Sequence, residues 1–232
     1  MVSINRWTKE LSFDVMAKKL IIAGASGMVG GIILREALSD TNVADVTSLV
    51  RRPSGISHPK LKEVIHSDFA DLSLVLEEFE DKDLAFFCIG VYTGAVPDPA
   101  FKIITVDQAI SYGNALKEKS PQARLCFLSG QGADRKEKSR MSFARYKGMA
   151  ENHLLSIGLG DLYVFRPGYI YPVEKRTEPN ISYRLMRAVY PVLGRFIPHV
   201  TSEELAKAML KVGMEGHAID TLENSDIRKV IG

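Results

Sequence analysis

The sequence predicts an α/β fold built on a doubly wound parallel sheet, and three observations carry that expectation. Short apolar runs rich in β-branched and aromatic residues alternate with longer stretches of helical period. A glycine-rich loop joins the first apolar run to the first amphipathic stretch. The chain has 232 residues, 46% of them hydrophobic, enough for one sizeable core.

The first strand is expected at about residues 19–23, where "KLIIAG" runs into the loop. Further strands follow in "DVTSLVR" from Asp45, "EVIHSD" from Glu63, "DLAFFCIG" from Asp83, "RLCFLSG" from Arg124 and "DLYVFRP" from Asp161. Helices fill the gaps at about 28–38, 72–79, 101–119 and 143–157, then at 182–190 and 202–212. Parallel neighbours need such crossovers, and nearly all are right-handed. After "FRPGYIYP" the alternation fails, and the charged stretch "PVEKRTEP" leads into helices without strands between them. The chain therefore reads as one domain over 18–232, in which 172–232 form a small helical cap on the substrate side. Residues 1–17 read as an N-terminal extension.

Composition excludes several classes. Lys+Arg 30 against Asp+Glu 28 gives a net charge of +2, too little for a chain that tracks nucleic-acid phosphates. The longest apolar run, "LAFFCIGV", is far shorter than the roughly 20 residues that cross a bilayer, so no membrane partner is expected. The first residues lack an apolar core and a small-residue cleavage site, which argues against secretion; Met16 is a second candidate start. Cys88 and Cys126 sit singly inside apolar runs, as strand core in a reduced compartment, and a cytoplasmic location is expected. The five His are scattered, with no HExxH, zinc spacing or GxSxG, so neither a metal site nor a hydrolase is expected. No feature names a protein partner.

Gly24, Gly27 and Gly30 form GxxGxxG between a strand and the mouth of a helix. The first glycine permits a tight turn, the second lets backbone approach a pyrophosphate, and the third lets the helix pack close to the sheet. Orphan N–H groups and the helix dipole then favour phosphate, which makes Ser26, Met28 and Val29 contacts alongside the three glycines. The alternative is an ordinary βα turn. At the end of the second strand an acid would accept the ribose 2′-hydroxyl of NAD, whereas arginine suits the 2′-phosphate of NADP. Here Arg51 and Arg52 follow the strand with no acid in the accepting position, which favours NADP over NAD; the alternative is a solvated basic turn. Asp68 and Phe69, just past the third strand, fall where an open sheet meets the adenine, although Asp68 equally suits a helix cap.

The glycine loop, the paired arginines, "HSDF", "FFCIG", "FLSGQGAD", "YKGMAE" and "VFRPG" together resemble the atypical short-chain dehydrogenase/reductases, and within them the branch of the Tat-interacting-protein oxidoreductase. The resemblance spans about residues 18–213. It implies a Rossmann fold with NADP across the carboxyl ends of the strands. Gly90 and Val91 would then lie along the cofactor, and Pro167, Gly168, Tyr169 and Ile170 would face the nicotinamide. Enzymes of this superfamily pair a Tyr with a Lys four residues on, so that the ammonium lowers the phenol pKa and holds the ribose, while a Ser orients the substrate carbonyl.

Lys147 falls at the lysine position, but the tyrosine position is Phe143, which cannot transfer a proton. Tyr146 adjoins Lys147 about 100° around the helix, off the shared face, and is a candidate proton donor if the helix is irregular there. Tyr92, in the loop after the fourth strand, is either a replacement acid or a tyrosine packed over the loop with its hydroxyl in water. Ser129 and Gln131 are the polar candidates at the serine position, beside Gly130; Ser129 equally reads as a strand-end residue bonded to local backbone. The literal YxxxK at Tyr171 contains Pro172 and is coincidence. Lys175, Arg176, Arg184, Arg187 and Arg195 form either a cationic lid or the wet face of an amphipathic helix. The leading reading is an NADP-dependent oxidoreductase acting on a small carbonyl or alcohol. A cofactor-binding sensor that lost the proton donor is second, and a nucleotide-sugar epimerase or dehydratase third.

Overall fold

The computed structural model describes residues 17–174 and 199–232. Six strands lie where the apolar runs predict them: β1 (Lys18–Ala23), β2 (Val43–Val50), β3 (Leu61–Ile65), β4 (Leu84–Phe87), β5 (Arg124–Leu128) and β6 (Asp161–Arg166). The crossovers carry α1 (Gly30–Ser39), a 3₁₀ helix (Ser73–Phe79), α2 (Asp98–Lys102), α3 (Gln108–Lys119) and α4 (Ser142–Ser156). The helix expected over 101–119 is interrupted by a π turn at Ile103–Asp107, so it reaches the sheet as two segments.

After β6 the sequence predicts no further strand, and this is corrected. β7 (Tyr169–Tyr171) and β8 (His199–Thr201) pair with each other, and β9 (Thr221–Glu223) joins the main sheet beside β6. Three-residue strands lack the alternation that announces a longer one. Around them lie α5 (Ser202–Glu215) and α6 (Asn224–Ile231). A capping box starts α5: Thr201 Oγ1 accepts from the Glu204 N–H at 3.1 Å, and Glu204 Oε2 accepts from the Thr201 N–H at 2.7 Å. Leu205, Met209 and Val212 then bury against the sheet, and Gly213 sits where a Cβ would be 2.9 Å from the Phe86 ring. The described part of the expected cap thus contributes two short strands, one of them to the main sheet, and helices that cover that sheet. The helix expected at 182–190, Met16, and the cations Lys175, Arg176, Arg184, Arg187 and Arg195 lie outside the described residues.

Seven parallel strands run in the order β3-β2-β1-β4-β5-β6-β9, a sheet flanked by helices on both faces as the sequence predicts. Side chains alternate between two cores. Leu20, Ile22, Phe86 and Phe165 pack with α1, α5 and α6, while Ile21, Ala23, Phe87 and Phe127 pack with α3 and α4. Cys88 and Cys126 are buried and unpaired, and burial pushes the Cys88 thiol up to about 12, which leaves it inert. Strand order reverses between β1 and β4, so a crevice opens beyond their carboxyl ends, the usual ligand position in such sheets.

Candidate functional site

The glycine loop lies at that crevice. Gly24 adopts φ +92°, and a Cβ there would be 2.7 Å from the Cys88 carbonyl carbon, so both conformation and space require glycine. A Cβ on Gly30 would run into the Gly24 carbonyl. The Gly27 N–H donates to Gly24 O at 2.9 Å, which closes the turn. Among the described residues no protein acceptor faces the N–H groups of Met28, Val29 and Gly30. Val29 occupies the N-cap without a capping side chain, and no acid stands in the first turn. An anion fits this cradle, because backbone donors and the helix dipole converge where no carboxylate competes.

At the end of β2, Arg51 and Arg52 are exposed and form no ion pair among the described residues. Glu63, on the neighbouring strand, accepts from the Ser54 N–H at 3.2 Å. Past β3, Asp68 Oδ1 accepts from the Ala70 N–H at 3.0 Å, whereas Asp71 accepts from the Ser73 N–H at 3.0 Å where the 3₁₀ helix starts. Asp68 therefore does not cap this helix, whose N-cap position is Leu72 and carries no side-chain cap. The Phe69 ring is buried in the core, edge-on to His66, and is not offered to a ligand.

A cavity of about 230 Å³ lies beyond the ends of β4, β5 and β6. Of the residues predicted from sequence it gathers Met28, Val91, Tyr92, Ser129, Pro167, Gly168, Tyr169 and Ile170, with Phe143 and Gly130 in its wall. Gly90 is exposed in the loop before Val91, with open space where a Cβ would project. Gln131 is exposed and outside the cavity wall.

Three residues of α4 meet different fates. The Phe143 ring presses on the backbone of Gly130, where a Cβ would be 2.5 Å from its tip. Tyr146 turns away from the cavity: its hydroxyl donates to Asp98 Oδ2 at 2.6 Å, and its ring packs beside Phe101 with Arg145 over it. Lys147 is buried, donates from Nζ to Leu128 O at 2.8 Å and lies over the Phe127 ring. Desolvation lowers its pKa to about 8, against the opposing pull of Glu151.

Sequence reasoning missed the polar centre beneath Ser129. Glu151 is fully buried. It accepts from Ser129 Oγ, from Arg135 Nε at 2.7 Å, and from Arg166 Nε at 3.0 Å and Nη2 at 2.5 Å. Arg166 also reaches Glu223 at 3.1 Å, and Arg135 reaches Thr221 at 3.0 Å, so the network ties β5, α4 and β6 to β9. Burial pushes the Glu151 pKa upward, but hydrogen bonds from Arg166, Ser129 and Arg135 outweigh it and hold the carboxyl below its ordinary value. The signal available in sequence was the i,i+4 spacing of Lys147 and Glu151, which puts both on one helix face.

No protein-family model matches the chain. It is 28% identical over 161 residues to "Protein FMP52, mitochondrial" of Candida albicans, covering 68% of this chain and 69% of that protein. It is 25% identical over 170 residues to "Protein HTATIP2" of Rattus norvegicus, covering 72% of this chain and 69% of that one. The Bordetella bronchiseptica enzyme WbmH, solved in complex with NAD+, superposes with a TM-score of 0.68 at 18% identity, covering 89% of this chain and 74% of WbmH. The FMP52 proteins are named mitochondrial, which overturns the cytoplasmic expectation. Two cysteines buried singly in the core do not distinguish one compartment from another. By sequence this chain is related to FMP52 and HTATIP2, and by fold to NAD-complexed Rossmann enzymes, the combination implied by its resemblance to the atypical short-chain dehydrogenase/reductases.

Proposed function

We propose that the chain is an NADP-dependent oxidoreductase of the atypical short-chain type, acting on a small carbonyl or alcohol held in the cavity at the ends of β4, β5 and β6. The observation that carries this reading is the glycine cradle at the strand-order reversal, with Arg51 and Arg52 at the end of β2. The N–H groups of Met28, Val29 and Gly30 hold the pyrophosphate, the two arginines hold the 2′-phosphate, and Gly90, Val91 and the 167–170 backbone flank the nicotinamide end. When bound, the cofactor supplies or takes a hydride. With Phe143 in place of the usual phenol and Tyr146 bonded to Asp98, we assign the proton at the substrate oxygen to Tyr92, the cavity-wall tyrosine that the sequence offers as a replacement acid. Lys147 supports the end of β5 through Leu128 O.

Titration with NADPH and NADH, followed by nicotinamide fluorescence at fixed salt, tests the cofactor. The expected result is tighter NADPH binding that Arg51→Ala/Arg52→Ala weakens. No binding of either dinucleotide sinks the proposal. NADPH consumption across a panel of small carbonyls, repeated with Tyr92→Phe, tests the chemistry.

The Phe143–Gly130 contact favours a second reading, a cofactor-binding sensor, because it fills with apolar atoms the place where proton transfer would be arranged. Tight NADPH binding with no turnover by the native chain, and turnover gained by Phe143→Tyr, supports that reading over the first.

A further inference from the structure

The wall formed by the end of β5 is polarised in one sense. Ser129 Oγ contacts Glu151, and Glu151 receives Arg135 and Arg166 on both of its oxygens while fully buried. A carboxylate held in this way has no proton to give, so the Ser129 hydroxyl is the donor in their bond. Its lone pairs are what Ser129 has left for a ligand. Neighbouring donors are also committed: the N–H of Ser129 goes to Phe165 O at 2.8 Å, that of Gln131 to Pro167 O at 2.9 Å, and that of Gly168 to Asn224 Oδ1 at 3.0 Å. Lys147 donates one Nζ hydrogen to Leu128 O. At Ser129 itself the side chain therefore offers a ligand an acceptor, the reverse of a serine that donates to a substrate carbonyl.

We propose that this cavity selects a ligand bearing a hydroxyl at the Ser129 wall over the corresponding carbonyl compound. The proposal rests on the reading of the cavity as the substrate end of a nucleotide site. A hydroxyl can donate to Ser129 Oγ, whereas a carbonyl oxygen there meets lone pairs with lone pairs and gains no bond from Ser129. At about 230 Å³ the space suits a small cyclic alcohol.

The test is calorimetric titration of the full chain with cyclohexanol and with cyclohexanone, in the presence of 2′-phospho-ADP-ribose, which carries no nicotinamide and allows no hydride transfer. Cyclohexanol is expected to bind about tenfold more tightly, the discrimination of one hydrogen bond made against one left unmade. Ser129→Ala should abolish the preference while leaving cyclohexanone affinity unchanged, and Ser129→Thr, which keeps the hydroxyl, should retain it. Equal affinities, preference for the ketone, or no binding of either at millimolar concentration overturns the proposal, as does a preference that survives in Ser129→Ala. NADPH titration of the same preparation separates the two failures. A chain that binds NADPH without alcohol preference sinks this inference alone; one that binds no dinucleotide sinks both.

Discussion

The two halves of the site are built on opposite plans. At the glycine loop and the end of β2, donors stand open: three N–H groups with no protein acceptor among the described residues, and two exposed arginines. At the ends of β5 and β6, almost every polar group is spent inside the protein, on Glu151 or on backbone carbonyls. Open donors cost little while water solvates them, and they serve an anion that arrives later. Closed networks hold secondary elements in place but give little to a ligand. The first half is therefore expected to respond to mutation in binding, the second in stability.

The largest effect is expected from opening the closed half. Glu151→Ala leaves Arg166 and Arg135 without their buried partner and should cost about 3–5 kcal/mol in urea unfolding. If it costs under about 1 kcal/mol, the network is ornamental and the contrast collapses. Next comes the cradle: Gly24→Ala forces a side chain into φ +92° and into the Cys88 carbonyl, and should abolish NADPH binding in a fluorescence titration. Then Gly130→Ala, which must displace the Phe143 ring, is expected to cost about 1–3 kcal/mol of stability and to reshape the cavity.

Arg51→Ala/Arg52→Ala should change stability by no more than about 0.5 kcal/mol while lowering NADPH affinity about tenfold or more. A stability loss larger than the binding loss would reverse the comparison. The smallest effect is a pH dependence. Lys147, with its pKa lowered to about 8 by burial, releases its proton in the native state before the unfolded chain does near the ordinary lysine value of 10.5. The unfolded state binds more protons in that window, so this group adds stability as pH rises from about 8 toward 10.5, and its cost is fully present below it. Lys147→Met should flatten that rise in a pH series of denaturant midpoints.

Much of the fold was legible in the sequence because long strands announce themselves locally. The runs around Ile21, Phe86 and Phe127 are apolar on both faces, as a strand buried between two helix layers must be. The phosphate cradle was legible for a related reason. The requirement for glycine at Gly24 and Gly30 follows from backbone geometry within a few residues and from one close strand, so spacing along the chain encodes it. Arg51 and Arg52 were placed by the end of β2 alone. The shortest strands, β7, β8 and β9, left no such trace, since three residues carry no readable period.

The sequence by itself thus determined the layered sheet, the glycine turn and the absence of a tyrosine at Phe143, all set by residue type and local spacing. Tertiary structure alone decided which way the polar side chains turned. Tyr146 went to Asp98, and Ser129 went to a glutamate 22 positions on that no strand-end reading of Ser129 could reach. The physical reason is burial. A charged group such as Glu151 enters a core only where donors from several distant elements converge on it, and that convergence of Arg135, Arg166 and Ser129 exists only once β5, α4 and β6 are packed together.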